Sequence, residues 1–169
     1  GSLAVHGTVN GVAMLGARPE YLSCGFILEE GLPLDDLRRV VQSMAGAAAE
    51  AGVKIVTGDT KVVPRGGADK IYVNTTGIGR IIADPPPTGA GAKPGDAVLV
   101  SGPIGDHGMA VMVSRSGLAV NPDLISDSAP LNRMVENIVA ALAPQDAPHV
   151  LRDPTRGGLA TTLNEIAGQ

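Results

Sequence analysis

Along LDDLRRVVQSMAGAAAEAG, residues 34–52, apolar side chains recur at Leu34, Leu37, Val40, Val41, Met44, Ala45 and Ala48. That is the spacing of one face of a helix. Asp35 and Asp36 sit in its first turn, where the helix dipole favours negative charge, and Gly52 supplies a stop. A second helical pattern covers residues 3–15, with Val9, Val12, Ala13 and Met14 on the packed side, and runs into a Gly-Ala-Arg-Pro turn at 16–19. Asn10-Gly11 lies inside it. Asn-Gly ordinarily marks a turn, and glycine costs a helix interior roughly 1 kcal/mol against alanine.

Three β-rich runs accompany these helices. EYLSCGFILEE, 20–30, ends at Gly31-Leu32-Pro33; VKIVTGDTKVV, 53–63, ends at Pro64-Arg65-Gly66-Gly67; KIYVNTTGIGRIIA, 70–83, is interrupted by Gly77 and Gly79. Strands interleaved with helices in this order predict an α/β or α+β fold. DPPPTGAGAKPGD, 84–96, is a composition break too rich in Pro and Gly to form a core element, and it reads as a linker.

Beyond it the pattern predicts a buried-type strand at AVLVSG, 97–102, and a helix at 106–117 behind a Gly-rich turn. A helix at 129–143, a short strand at APHVLRD, 147–153, and a helix entered through PTRGGLATTLNEIAG, 154–168, running to the chain end, complete it. A unit with so few strands cannot close a core. The expectation is a truncated second domain, or a partner that completes it.

Composition narrows the chemistry. Of 169 residues 44% are hydrophobic but only 2% aromatic, so the core is aliphatic and base stacking on aromatic platforms is disfavoured. Thirteen basic against 17 acidic residues, with no basic run, speak against nucleic acid as a partner. The lone Cys24 excludes an internal disulfide and a Cys-based zinc site; in an apolar strand with no neighbouring base it reads as a buried small hydrophobe. No apolar run is long enough for a bilayer and no signal-peptide pattern opens the chain, so a soluble, cytoplasmic protein is expected, with no membrane partner.

Three stretches carry candidate chemistry. In DPTRGGLATTLNEIA, Asp153 and Pro154 would stop the strand and Thr155 could cap. Gly157 and Gly158 would let N–H groups approach an anion at a helix start, with the Arg156 fork beside them. The alternative is a structural turn with an N-cap. In TGDTKV, Asp59, Thr60 and Lys61 set a carboxylate beside a hydroxyl and an ammonium, as a metal–phosphate site requires, or form a solvated strand end. In GPIGDHGM, Asp106 most simply caps the following helix, and His107 is either a general base or structural. His6 and His149 lie far in sequence from any second ligand. Walker, G-x-G-x-x-G and G-x-S-x-G patterns are absent.

Taken in order, GTVNGVAMLGARPEYLSCGFILEEGLPLDDLRRVVQSMAGAAAEAGVKIVTGDTKVV, KPGDAVLVSGPIGDHGMAVM and LRDPTRGGLATTLNEIA resemble the HypE family of hydrogenase maturation proteins. That family belongs to the superfamily of aminoimidazole ribonucleotide synthetase, selenophosphate synthetase and thiamine-monophosphate kinase. The resemblance implies part of a two-domain PurM-like fold. Residues 3–83 would be the latter part of an ATP-binding-type N-terminal domain, 84–95 its connection, and 96–169 the start of a C-terminal α/β domain.

It also implies ATP-dependent dehydration of a C-terminal cysteine carboxamide to a thiocyanate, the source of hydrogenase cyanide ligands. ATP and Mg²⁺ would be held by Asn10, Asp59, Thr60 and Lys61, with Asp59 on the metal, and by Asp153, Thr155, Arg156, Gly157 and Gly158. The implied partners are a second copy of the chain, through a dimer or exchanged strands, and hydrogenase maturation proteins such as a carbamoyltransferase and cyanide-transfer chaperones.

Three departures from the family pattern bear on activity. The N-terminal segment with paired aspartates and the tail cysteine are absent from this chain, and Gly11 stands where the family carries aspartate. The loss of one anionic ligand weakens Mg²⁺ binding. Weak or no ATP turnover is therefore expected of the chain alone. The alternative is a non-catalytic module that uses the same surfaces for association or for maturation partners.

Overall fold

The computed structural model describes residues 1–116 and 124–168. Its first half is built from α1 (Ser2–Ala13), β1 (Ala17–Glu29), α2 (Leu34–Ala51), β2 (Lys54–Val63) and β3 (Ile71–Ile81). The strands form one sheet in the order β2-β1-β3, with β1 parallel to β2 and antiparallel to β3. The mixed α/β character expected from the pattern is present.

Gly52 ends α2 in the left-handed region, at φ 73°, and the chain enters β2 two residues later. The inward face of α2 is narrower than its apolar stripe. Met44, Ala47, Ala48 and Ala51 are buried, while Leu34 is 74% exposed and Val41 lies open too. The α1–α2 contact lies toward the C-terminal part of α2, which leaves its first turns outside the core.

β1 begins three residues earlier than its pattern suggests. Ala17, Arg18 and Pro19 pair with β3 rather than forming a turn; the turn lies at 14–16 and ends on Gly16 at φ 66°. Pro19 is tolerated because β2 starts opposite Tyr21, so β1 has a partner on one side only at the proline.

Helices cover one face of the sheet. There Val5 and Val9 of α1, Leu22 and Cys24 of β1, and Met44 to Ala51 of α2 form the core, with Val53 at its margin. Each large aliphatic side chain so buried is worth about 1.5–3 kcal/mol. Two glycines interrupt β3 without breaking it, because they let α1 and β1 approach closely. A side chain at Gly77 would strike Thr8 and Val12 of α1; one at Gly79 would strike Val12 and the Arg18 carbonyl. The Thr8 and Thr75 hydroxyls lie 2.6 Å apart, and Thr75 Oγ1 donates to the Ala4 carbonyl at 2.7 Å. The opposite face carries Tyr21, Ile27, Tyr72 and Ile78, 41% to 65% exposed.

Residues 84–105 contain no helix or strand. AVLVSG is a correction to the expected buried strand: among the described residues it pairs with none, and Leu99 is 91% exposed. A strand needs a neighbour to satisfy its N–H and C=O groups, and its apolar pattern does not supply one. APHVLRD likewise is not a strand. It runs beside the linker, with the His149 carbonyl accepting from Thr88 N–H at 3.2 Å and His149 Nδ1 lying 2.8 Å from Asp96.

The remaining elements are α3 (Asp106–Ser116), α4 (Asn132–Ala141), a 3-10 turn at Pro144–Asp146, and α5 (Gly158–Ala167). The expected last residue of the helix at 106–117, Gly117, lies outside the described residues, as does the terminal Gln169.

α4 packs on α1 and β1 through Val135, which is fully buried. Asn132 Nδ2 donates to the Ala51 carbonyl at 2.9 Å and so satisfies the end of α2; Arg18 pairs with Glu136 at 3.1 Å. An apolar cleft of about 160 Å³ lies between Ile82, just after β3, with Pro85 and Pro87 of the linker, and Val139 of α4 with Leu142 just past its end.

Candidate functional site

The residues proposed from the sequence fall on three separate surfaces. Asp59, Thr60 and Lys61 stand in β2, the exposed edge strand, opposite Gly25, Phe26 and Ile27 of β1. Strand alternation puts Asp59 and Lys61 on the open sheet face, beside Ile27, and Thr60 on the helix-covered one with Phe26. The Asp59 carboxylate accepts the Thr60 N–H at 2.7 Å. Gly58 before it is obligatory, since a Cβ there would collide with the Cys24 carbonyl across the ladder. Among the described residues no three His, Cys, Asp or Glu side chains gather as a metal cluster, at Asp59 or elsewhere.

Asn10 lies on α1, on the covered side of the sheet. Both ends of its amide are engaged: Nδ2 donates to the Ala129 carbonyl at 3.0 Å, and Oδ1 accepts from Leu131 N–H at 2.8 Å. Gly11 beside it is exposed, and a Cβ there would meet nothing within 4 Å. The helix therefore has room for a carboxylate at this position.

The third surface is the loop before α5. Gly157 and Gly158 both adopt the left-handed region, at φ 67° and 63°, conformations that glycine reaches without strain. Gly157 is the N-cap and among the described residues no side chain caps the helix, so Thr155 does not act as expected; its N–H donates instead to the Asp153 carbonyl at 2.9 Å. Among the described residues the first N–H groups of α5 therefore have no side-chain acceptor, which suits an anion. Burial pushes the Asp153 carboxyl above the usual aspartate range, against the opposing influence of Arg152.

Neither the apolar cleft beside α4 nor the open cleft between α1 and α3 contains any of these nine residues. Cys24 is buried at 5% exposure and its thiol pKa is raised by desolvation, which makes it a poor nucleophile or carrier.

Sequence reasoning missed Asp127. Asp106 begins α3, but its side chain caps nothing among the described residues; the His107 N–H goes instead to Asp127 Oδ1 at 3.1 Å. His107 Nδ1 lies 3.0 Å from Ser126 Oγ. A cap arriving from 20 residues downstream leaves no local signal, because cap motifs are read within one turn.

The chain matches the AIR synthase related protein N-terminal domain over residues 1–81 and the corresponding C-terminal domain over 93–169. It is 57% identical over its whole length to a carbamoyl dehydratase HypE of Cupriavidus necator, covering 47% of that protein. A crystal structure of hydrogenase maturation protein HypE in complex with ATP is similar over 99% of this chain and 49% of that one, at 66% identity and TM-score 0.93. A crystal structure of a HypE-HypF complex is similar at 53% identity and TM-score 0.93, over 99% of this chain and 54% of that one.

The chain spans about half the length of the curated relatives it matches. No helix among the described residues is long and apolar enough to cross a membrane. On these matches and its fold, the chain belongs to the AIR synthase related family, within the HypE group of hydrogenase maturation proteins.

Proposed function

We propose that the chain carries part of the frame of an ATP-dependent carbamoyl dehydratase that serves hydrogenase maturation. The observation that supports this most is the 57% identity to a carbamoyl dehydratase across all of its residues. ATP and Mg²⁺, when bound, supply a phosphoryl group that turns the oxygen of a cysteine carboxamide into a leaving group, so that elimination leaves a thiocyanate.

This chain's residues would take the following parts. Asp59 offers a hard oxygen ligand to the cation, and Lys61, two residues on along the same face, offers charge to phosphate. Arg156 and the N–H groups of Gly157 and Gly158 form an anion loop. Among the described residues neither the apolar cleft beside α4 nor the open cleft between α1 and α3 brings these groups together.

A second copy docked on the open sheet face, around Tyr21, Ile27, Tyr72 and Ile78, would cover that apolar surface and bring a second set of groups to Asp59 and Lys61. A further maturation protein is the kind of partner supported by the HypE-HypF complex of a relative. The unengaged sheet face equally favours a second reading, an association module without catalysis.

The test is calorimetry of Mg²⁺-ATP binding to this chain and to Gly11→Asp. A silent parent and a binding Asp variant would show a nucleotide surface disabled at one ligand. Silence from both would leave the association module. Turnover by the parent chain would overturn the expectation of inactivity.

A further inference from the structure

Residues 126–131, Ser-Asp-Ser-Ala-Pro-Leu, touch α1 at one end and the start of α3 at the other. On the α1 side the Asn10 amide reads the backbone as a neighbouring strand would, donating to Ala129 and accepting from Leu131. His6, one helical turn before Asn10 and therefore on the same face, places Nδ1 3.4 Å from Ser128 Oγ. On the α3 side Asp127 accepts the backbone N–H of His107, and Ser126 meets the ring of the same residue.

Between the two ends the segment is stiffened. Ser128 N–H donates to Ser126 Oγ at 3.1 Å, and Pro130 fixes one backbone torsion between the two atoms that Asn10 grips. Just past it, Asn132 and Val135 are buried, which anchors its exit.

We propose that 126–131 is a strap that sets the first turn of α3 relative to α1, and that Asn10 is the positioning residue that fixes it. The chain of bonds runs Asn10, backbone of 129–131, Asp127, His107. These residues would then act as one unit, although 97 positions separate Asn10 from His107 in the sequence. The strap also lines one side of the open cleft between Ser2 and Leu3 of α1 and His107 and Val111 of α3, with Ser126 and Ser128 at its wall. An Asn10 amide engaged in this way is not free for a ligand. A ligand that took it would release the strap and, with it, the α3 turn that follows the glycine-rich segment 102–105. These bonds support the strap independently of any nucleotide site.

Amide hydrogen exchange on the full chain tests it. In the parent, the Leu131 and His107 amides are protected. In Asn10→Ala both exchange roughly tenfold faster, the scale set by loss of about one net hydrogen bond, while Cys24 in the centre of β1 is unchanged. Because coupling is reciprocal, Asp127→Ala, made at an exposed side chain, accelerates Leu131 as well as His107. Acceleration confined to the residue whose own bond was cut overturns the strap. Should Asn10→Ala lose protection throughout, Cys24 included, Asp127→Ala decides by whether Leu131 opens.

Discussion

Gly77 of β3 pairs with Leu22 of β1, and the space its side chain would occupy is filled by Leu22 Cδ2 at 3.0 Å and by the methyls of Thr8 at 2.8 Å and Val12 at 3.0 Å. The missing Cβ is what lets α1 settle on the sheet. Gly77→Ala should therefore force a small displacement of α1, because Thr8 and Val12 are β-branched and have little rotamer freedom with which to yield. The expected cost is about 1–3 kcal/mol, the range for overpacking. Urea unfolding measures it, with a lower midpoint at unchanged slope.

Gly11 presents the opposite case. It lies in the same helix, exposed, and a methyl group added there would have no neighbour within 4 Å. Nothing in the packing requires glycine there, so Gly11→Ala should raise stability by roughly 0.5–1 kcal/mol through helix propensity alone. A thermal melt checks the sign. A decrease would mean that the backbone at Gly11 departs from helical geometry or that the surface around it is engaged.

The contrast between these glycines shows what the sequence could and could not disclose. α2 and β2 were legible because their signals are local: acidic first turn, glycine stop, apolar run. Asn10-Gly11 looked like a turn yet stays helical, since the packing of Val5, Val9 and Ala13 outweighs one unfavourable residue. AVLVSG carried a strand's composition without a strand's partner. The glycine loop at 157–158 was legible as a backbone feature from its residue types. The strap was not: its bonds join residues about 20 and 120 positions apart, and such pairings leave no periodicity.

Glu29 gives a prediction in pH. Its carboxylate accepts the backbone N–H groups of Gly66 and Lys70, and these bonds, in that order, hold its pKa below the ordinary glutamate range, aided by Arg65 and Lys70. A carboxyl with a lower pKa in the folded state contributes stability that is present above its unfolded pKa and is lost as pH falls through the folded one. Stability should thus decline as pH drops through and below about 4. Glu29→Gln should flatten that acid limb and lower stability at neutral pH. Matching acid limbs in the two proteins would show that the bonds to Gly66 and Lys70 contribute nothing.

Asp153 should respond with the opposite sign. Burial raises its pKa, and neither its own backbone bond nor Arg152, which is itself paired with Glu165 at 2.7 Å, restores the ordinary value. A carboxyl whose pKa is raised on folding opposes folding when ionised, and that opposition disappears as pH falls below its unfolded pKa. Asp153→Asn should therefore raise the thermal midpoint at neutral pH, with the gain fading below about pH 4. The same change removes a negative charge three residues before Arg156 in the sequence, at the start of the loop that carries Gly157 and Gly158. If that loop holds anions, the variant should retain inorganic phosphate more tightly at neutral pH. A stabilised variant with unchanged phosphate binding would confine Asp153 to the folding balance and leave the loop a structural turn. A destabilised variant at neutral pH would show instead that the carboxylate makes a contact worth more than its desolvation.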